Sequence, residues 1–450
     1  MKQTINSTRT PLGTVAIPAL VIGALAVAMG LQTARADSDL DQRVRKLEQE
    51  LEAVKAEKAE KASDGNLVTI KQRGGRMLLS SGDGNFTARV GGRILMDTAW
   101  YNEDGEPMGN GTRFRQARLE AAGTLYSDWS YVFQYDFTNS GEGGIKEAYL
   151  GYNGFKFANT DLHLSLGNRF LPFGFLGQQS PKYTMFMEQP TASLVLGAGA
   201  RRLGLRSDLI GNRWRWSIAA TQAPLGSRAS DANADDPVDI ATQFTFNPIQ
   251  ATNHVLNLGV SLRRQSAKGS DDFRLRARPQ TYLSPFRPVD TGAFVSDGFT
   301  AGGVQLMYLH GPFELETEYF QQKFDQIEGG PGDGEKPEFK GGYVQAGYFL
   351  TGESRAYKPG EDVFGPPTPA RSLSQGGLGA WQVAASYSTL ELTDSNIDGG
   401  QIDMMMLGLN WFPEQRLRFS LEYGNVLDVE GGPYDGDQPS FVQARAQVEW

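Results

Sequence analysis

Arg274, Arg276 and Arg278 take alternate positions in Phe273-Arg274-Leu275-Arg276-Ala277-Arg278. In an extended chain that spacing stands three guanidinium groups on one face, about 7 Å apart. Cations held so close need counter-charges or a wide, wet environment. Guanidinium is planar, permanently charged and bidentate toward phosphate and carboxylate, so a row of them offers an anion successive weak sites. Passage through a pore needs that weakness, because one tight site traps the ion. Arginine far outnumbers lysine beyond residue 71. Arg89, Arg93, Arg118, Arg169, Arg213, Arg215, Arg263, Arg418 and Arg445 fall on the polar faces of predicted strands. Glu120, Asp136, Glu147, Glu314, Glu316, Glu318, Glu422 and Glu449 share those faces. Each inward arginine is therefore either an anion ligand or a brace paired with an acid.

Other chemistries find little support. The chain has 3 His and no Cys, which excludes thiol catalysis, disulfides and Cys-ligated metals. No HExxH, P-loop or dinucleotide fingerprint appears. His163 and Ser165 share a strand face, as in outer-membrane phospholipases, but such enzymes work on the lipid-facing wall, here claimed by Leu162, Leu164 and Leu166. His163 is read as a wet lumen residue. Carboxylates in 231–239 and 394–398 suit hydrated loop tips better than a Ca²⁺ site. No catalytic residue, metal or cofactor is expected. A formal charge of −9 argues against a nucleic-acid binder.

The elements that position these groups begin with an address. Lys2 and Arg9, an apolar run from Val15 to Leu31, and Ala34-Arg35-Ala36 read as a cleaved export signal over 1–36. Leu40, Val44, Leu47, Leu51 and Val54 form a heptad seam in a short periplasmic coiled coil over 37–62. That seam would either bring copies together or sit on a single solvated helix. A polar, Gly-rich linker is expected over 63–85, and a barrel over 86–450.

In the last region the period is two. Tyr131-Val132-Phe133-Gln134-Tyr135-Asp136-Phe137, Phe313-Glu314-Leu315-Glu316-Thr317-Glu318-Tyr319 and Leu417-Arg418-Phe419-Ser420-Leu421-Glu422-Tyr423 alternate apolar with polar residues. Strands of this kind, flanked by aromatics such as Trp100, Trp129 and Trp411, characterise membrane barrels rather than soluble sandwiches. Sixteen candidate strands run from 86–100 to 440–450, enough to enclose water. The expected fold is all-β: a transmembrane antiparallel barrel of about sixteen strands, preceded by the short coiled-coil helix. Tight turns fall on one side, and three long segments, 172–198, 265–298 and 352–377, are free to fold inward. The closing strand, Phe441 to Trp450, ends in the aromatic residue expected of a substrate of the barrel assembly machinery.

Several stretches resemble the phosphate-selective porin O and P family. They include Gly91-Gly92-Arg93-Ile94, Phe114-Arg115-Gln116-Ala117-Arg118-Leu119-Glu120 with Asp128-Trp129, and Ile145 to Tyr152. Gly347 to Glu353, Gly379 to Ala384 and Leu407 to Phe412 complete the set. The resemblance implies a trimeric outer-membrane channel with inward loops, an arginine ladder and a lysine cluster that select phosphate-like anions. It places Arg274, Arg276 and Arg278 at the ladder, and Lys182 of Ser180-Pro181-Lys182-Tyr183 in the constriction loop. Arg355 and Lys358 follow the Thr-Gly-Glu motif. Leu171 stands where the family commonly has a basic residue, and Asn168 is an insertion. The expected function is passive passage of small anions, phosphate or polyphosphate, across the outer membrane of a Gram-negative bacterium. A general-diffusion porin and a non-conducting envelope tether are the alternatives.

Overall fold

The computed structural model describes residues 43–53, 68–73, 76–197, 201–222, 224–225, 237–325 and 333–450, without the side chains of 71–73, 76 and 267–272. The chain divides into two units, 1–67 and 68–450. In the first, helix α1 covers 43–53 and leaves Val44, Leu47 and Leu51 exposed. The 1–36 signal and the outer seam positions Leu40 and Val54 lie outside the described residues. The second unit opens, within the stretch expected to be linker, with a hairpin of Val68–Arg73 against Arg76–Ser81.

The barrel strands are β1 Thr87–Asn102, β2 Gly111–Leu125, β3 Trp129–Asp136, β4 Ile145–Phe157, β5 Thr160–Phe170 and β6 Arg201–Ile210. Then come β7 Trp214–Thr221, β8 Val238–Ala251, β9 His254–Phe273, β10 Phe294–His310 and β11 Phe313–Phe324. The last are β12 Glu338–Phe349, β13 Ala380–Asp394, β14 Ile397–Glu414, β15 Leu417–Glu430 and β16 Ser440–Glu449. Sequence neighbours pair antiparallel, and β16 returns to β1 from Ser440↔Asn102 to Glu449↔Arg93. The sixteen-strand sheet therefore has no open edge, the condition for placing strands in hydrocarbon.

Alternation sets the two surfaces. On β15, Arg418, Ser420 and Glu422 are buried inside, while Phe419, Leu421 and Tyr423 stand exposed outside. A continuous greasy skin of this kind is a liability in water and a match to a bilayer. Trp381 stacks on Trp411 at 5.4 Å, and Trp411 on Phe419 at 5.5 Å, forming part of an aromatic girdle. Tight connections at 126–128, 158–159, 211–213, 252–253, 311–312 and 415–416 share one end with both barrel termini. Gly311, at φ +55°, allows the reversal before Pro312. Two connections depart from the short–long rule: 395–396 is tight at the long-loop end, and 350–379 is long at the tight-turn end.

Three long connections fold inward, as expected, with one boundary corrected. The segment anticipated at 265–298 shrinks to 274–293, because β9 and β10 stay paired out to Phe273↔Phe294. The first insert, 171–197, crosses the lumen. Gly174 N–H donates to Ser261 Oγ on β9 (3.2 Å), Phe175 and Leu176 N–H to Glu318 on β11, and Met187 N–H to Glu422 on β15 (2.7 Å). The third insert, 350–379, meets it where Gln179 and the Phe364 backbone exchange two hydrogen bonds. The second joins through Gln280 Nε2, which donates to the Glu188 carbonyl at 3.0 Å. Phe173, Phe175, Leu176, Phe186, Leu275 and Phe364 then pack on the inner faces of β9–β15 as one apolar core. The lumen is filled on that side, and the β1–β7 side stays open.

Barrel closure depends on a close approach at Gly92. A Cβ there would lie 2.7 Å from the Arg118 carbonyl and 2.5 Å from the Trp450 ring. Gly92→Val is expected to lower the yield of folded, heat-modifiable barrel on semi-native gels several-fold; an unchanged yield would show that the β16–β1 seam tolerates the added bulk.

Candidate functional site

The unfilled half holds a cavity of about 700 Å³ against β1–β7, bounded by the first and third inserts. It follows β5 from Asp161 to Phe170, most of that strand's length. Nine Arg or Lys residues line it, against five Asp or Glu. The chain as a whole carries −9, so the positive balance belongs to this space and not to the composition.

Strand alternation puts the wall cations inward, and their partners sort them by role. Arg118 donates to Asp136 (3.0 Å) and Gln134, Arg206 grips Asp208 (2.7 Å), and Arg89 meets Glu120 (2.6 Å). Deeper braces behave alike: Arg263 pairs with Asp239 (2.6 Å), and Arg445 holds Asp97 in a bidentate pair at 2.7 Å. Two arginines differ. Arg93 is 5% exposed, donates from Nη1 to Ser180 Oγ at 3.0 Å and leaves Nε without a partner. Arg201 lies 3.7 Å over the Phe170 ring, also with an unpartnered Nε. Among the described residues neither forms an ion pair with a carboxylate, and both line the cavity that Arg118 also borders. An anion entering there would meet donors that are already desolvated and fixed.

Of the residues singled out by sequence, Arg89, Arg93, Arg118, Arg169, Arg215, Lys182 and Lys358 line this one cavity, Arg215 paired with Asp362 at 3.0 Å. Arg169 donates to Ser165 Oγ at 2.7 Å and packs over Tyr149; Lys182 lies 2.7 Å from Glu449; Lys358 lies 3.1 Å from Glu361. Arg274 and Arg276 lie apart from them, bordering an outer cavity of about 670 Å³ at the long-loop end. Arg274 pairs with Asp290 at 2.6 Å, and Arg278 packs over Tyr282 and donates to its carbonyl. Burial and the like charges of Arg278 and Arg276 push the Arg287 guanidinium down to about 10, a mark of cation crowding at that mouth. Arg355 is different again. It is buried away from both cavities, donates to the Tyr183 carbonyl and lies 3.4 Å from Glu314, so it fastens one insert to another. Arg213, assigned to the lumen by alternation, sits exposed in a tight turn and donates to the Pro248 carbonyl. Arg201 and Arg206 were not singled out. The Arg201-Arg202 doublet that opens β6 was the available signal.

The first insert owes its position to buried ion pairs. Burial pushes the Glu188 carboxyl up, but Arg115 and Arg445 outweigh burial and hold it below the usual carboxylate range. Arg445 also donates to the Met187 carbonyl at 2.7 Å. Arg445→Met would strand Asp97 and Glu188 without this partner, at a cost of about 3–5 kcal/mol. Equilibrium unfolding in detergent checks this, and adding Asp97→Leu should recover part of the loss.

Comparison with known proteins agrees with this architecture. Porin O of Pseudomonas aeruginosa is 27% identical over 424 residues, covering 83% of this chain and 91% of that protein. An uncharacterized protein of Caulobacter vibrioides is 26% identical over 365 residues, covering 78% and 70%. The anion-selective porin from Comamonas acidovorans shares the fold, with a TM-score of 0.50, 13% identity, and coverage of 81% of this chain and 100% of that one. Residues 88–450 match the model of the family described as phosphate-selective porin O and P. The chain therefore belongs to the phosphate-selective porin O and P family, and its place is the outer membrane of a Gram-negative bacterium.

Proposed function

We propose that the chain forms a water-filled channel for passive diffusion of small anions, with inorganic phosphate or polyphosphate the favoured solute. The observation that carries this reading is the basic surplus of the half-lumen, with Arg93 and Arg201 free of carboxylate partners among the described residues. Tetrahedral oxyanions suit that surface because they accept several N–H donors at once. Anions would gather at Arg274 and Arg276 and exchange among Arg93, Arg201 and Lys182, with Arg89, Arg118 and Arg169 alongside. Lys358 would serve the insert nearer the tight-turn end. Inside the bore, braced arginines keep the wall open, and unbraced ones bind the ion. Arg355 belongs to the first group.

The same reading takes 1–36 as a cleaved signal and Trp450 as the assembly signal. The functional unit is read as a homotrimer in outer-membrane lipid, with the exposed Val44, Leu47 and Leu51 of α1 as one contact between copies. Reconstitution in planar bilayers tests the proposal. Reversal potentials in a KCl gradient should report anion preference, and added phosphate should block chloride current. Replacing Arg93 and Arg201 together by Ala should weaken that block about tenfold or more. A cation-selective or unselective current, indifferent to phosphate, would instead identify a general-diffusion porin, and no current at all a tether.

A further inference from the structure

We infer that Glu449 sets how long the cavity holds an anion at Lys182, by sharing the charge of Lys182. This rests on the anion-channel reading above. Glu449 ends β16 and is 3% exposed. Its carboxylate lies 2.7 Å from Lys182 Nζ and 2.9 Å from Arg416 Nη1, and accepts the Tyr183 hydroxyl at 2.9 Å to each oxygen. Lys182 and Tyr183 border the cavity, whereas Glu449 does not. Lys182 thus stands between a fixed carboxylate behind it and room for a mobile anion in front.

An ammonium group carries three donors, so it can serve both at once. A full negative charge that close cancels much of the field Lys182 projects into the cavity. The cross-strand neighbour of Glu449 is Arg93, which has no carboxylate partner among the described residues and donates to Ser180 instead. The cavity therefore sets one cation outside any ion pair, Arg93, beside one held in an ion pair, Lys182. That combination attracts an oxyanion and still releases it, as conduction requires. Glu449 is a positioning residue: it touches no solute and acts through Lys182. Because it lies on the strand that closes the barrel, closure and the charge of the constriction are set together.

Glu449→Gln keeps the side-chain shape and removes the charge. In bilayers, phosphate should block chloride current at about tenfold lower concentration, with longer blocked events. Glu449→Asp, which keeps the charge but shortens its reach, should fall between wild type and the Gln variant. In a Lys182→Gln background, Glu449→Gln should bring no further tightening. An unchanged block in Glu449→Gln, or tightening that persists without Lys182, overturns the inference. If the Gln variant fails to assemble, an Asp variant blocked like wild type does the same. A wild-type channel that phosphate does not block overturns the anion-channel reading itself. A blocked wild type with an indifferent Glu449→Gln removes only the role of Glu449.

Discussion

Backbone amides cannot remain unpaired in hydrocarbon, and the pairing of Ser440–Glu449 with Arg93–Asn102 is what satisfies that demand here. Without this seam, β1 and β16 would expose two rows of donors and acceptors to lipid. With it, sixteen strands enclose a bore wider than their own side chains can fill. The inserts answer that excess width. They divide the bore, packing an apolar core on β9–β15 and leaving a basic, open space on β1–β7.

Charge economy inside the barrel follows from burial. A desolvated cation needs several hydrogen bonds or an opposite charge, and most inward arginines have one or both. Arg418 shows the first solution, with donors to the Thr184 and Met185 carbonyls at 2.8 Å; Arg445 shows both. These groups hold the first insert to the wall. Among the described residues Arg93 and Arg201 have no acid partner, and both border the open space, so they are the ones proposed to meet a solute. Structural arginines and those proposed to bind solute are thus the same residue type on the same strand faces, separated by whether acids and carbonyls take up their donors or the donors border the open space.

Much of the architecture was legible in the chain. Alternation located all sixteen strands and the end of the barrel that carries the tight turns. It also placed five of the nine cavity cations, since Arg89, Arg93, Arg118, Arg169 and Arg215 sit on clean polar faces. Less legible was which half of the lumen would fill. Ile402, Met404 and Met406 point inward on β14 and are buried by the inserts, while Met405 and Leu407 face outward. The apolar run Met404-Met405-Met406-Leu407 carried that signal, an apolar strand face toward the lumen where water alone would favour polar residues. The arginines of 274–278 were read as one row; in the structure Arg274 and Arg276 face an outer cavity and Arg278 packs on Tyr282, because the segment leaves the wall after Phe273. Arg355 carried no local sign of its partner, since Glu314 lies 41 residues away on β11. Pairing across an insert is invisible to spacing.

The central claim is that anions inside the bore occupy its β1–β7 side, beside Arg93, Arg201 and Lys182. Diffraction from crystals soaked in bromide, phased on its anomalous signal, tests it most directly. The account predicts bromide peaks beside Arg93, Arg201 and Lys182, with any others at Arg274 and Arg276 in the outer mouth, and none within the apolar core packed on β9–β15. Peaks confined to the filled half, or a basic half-lumen empty of bromide, would contradict it.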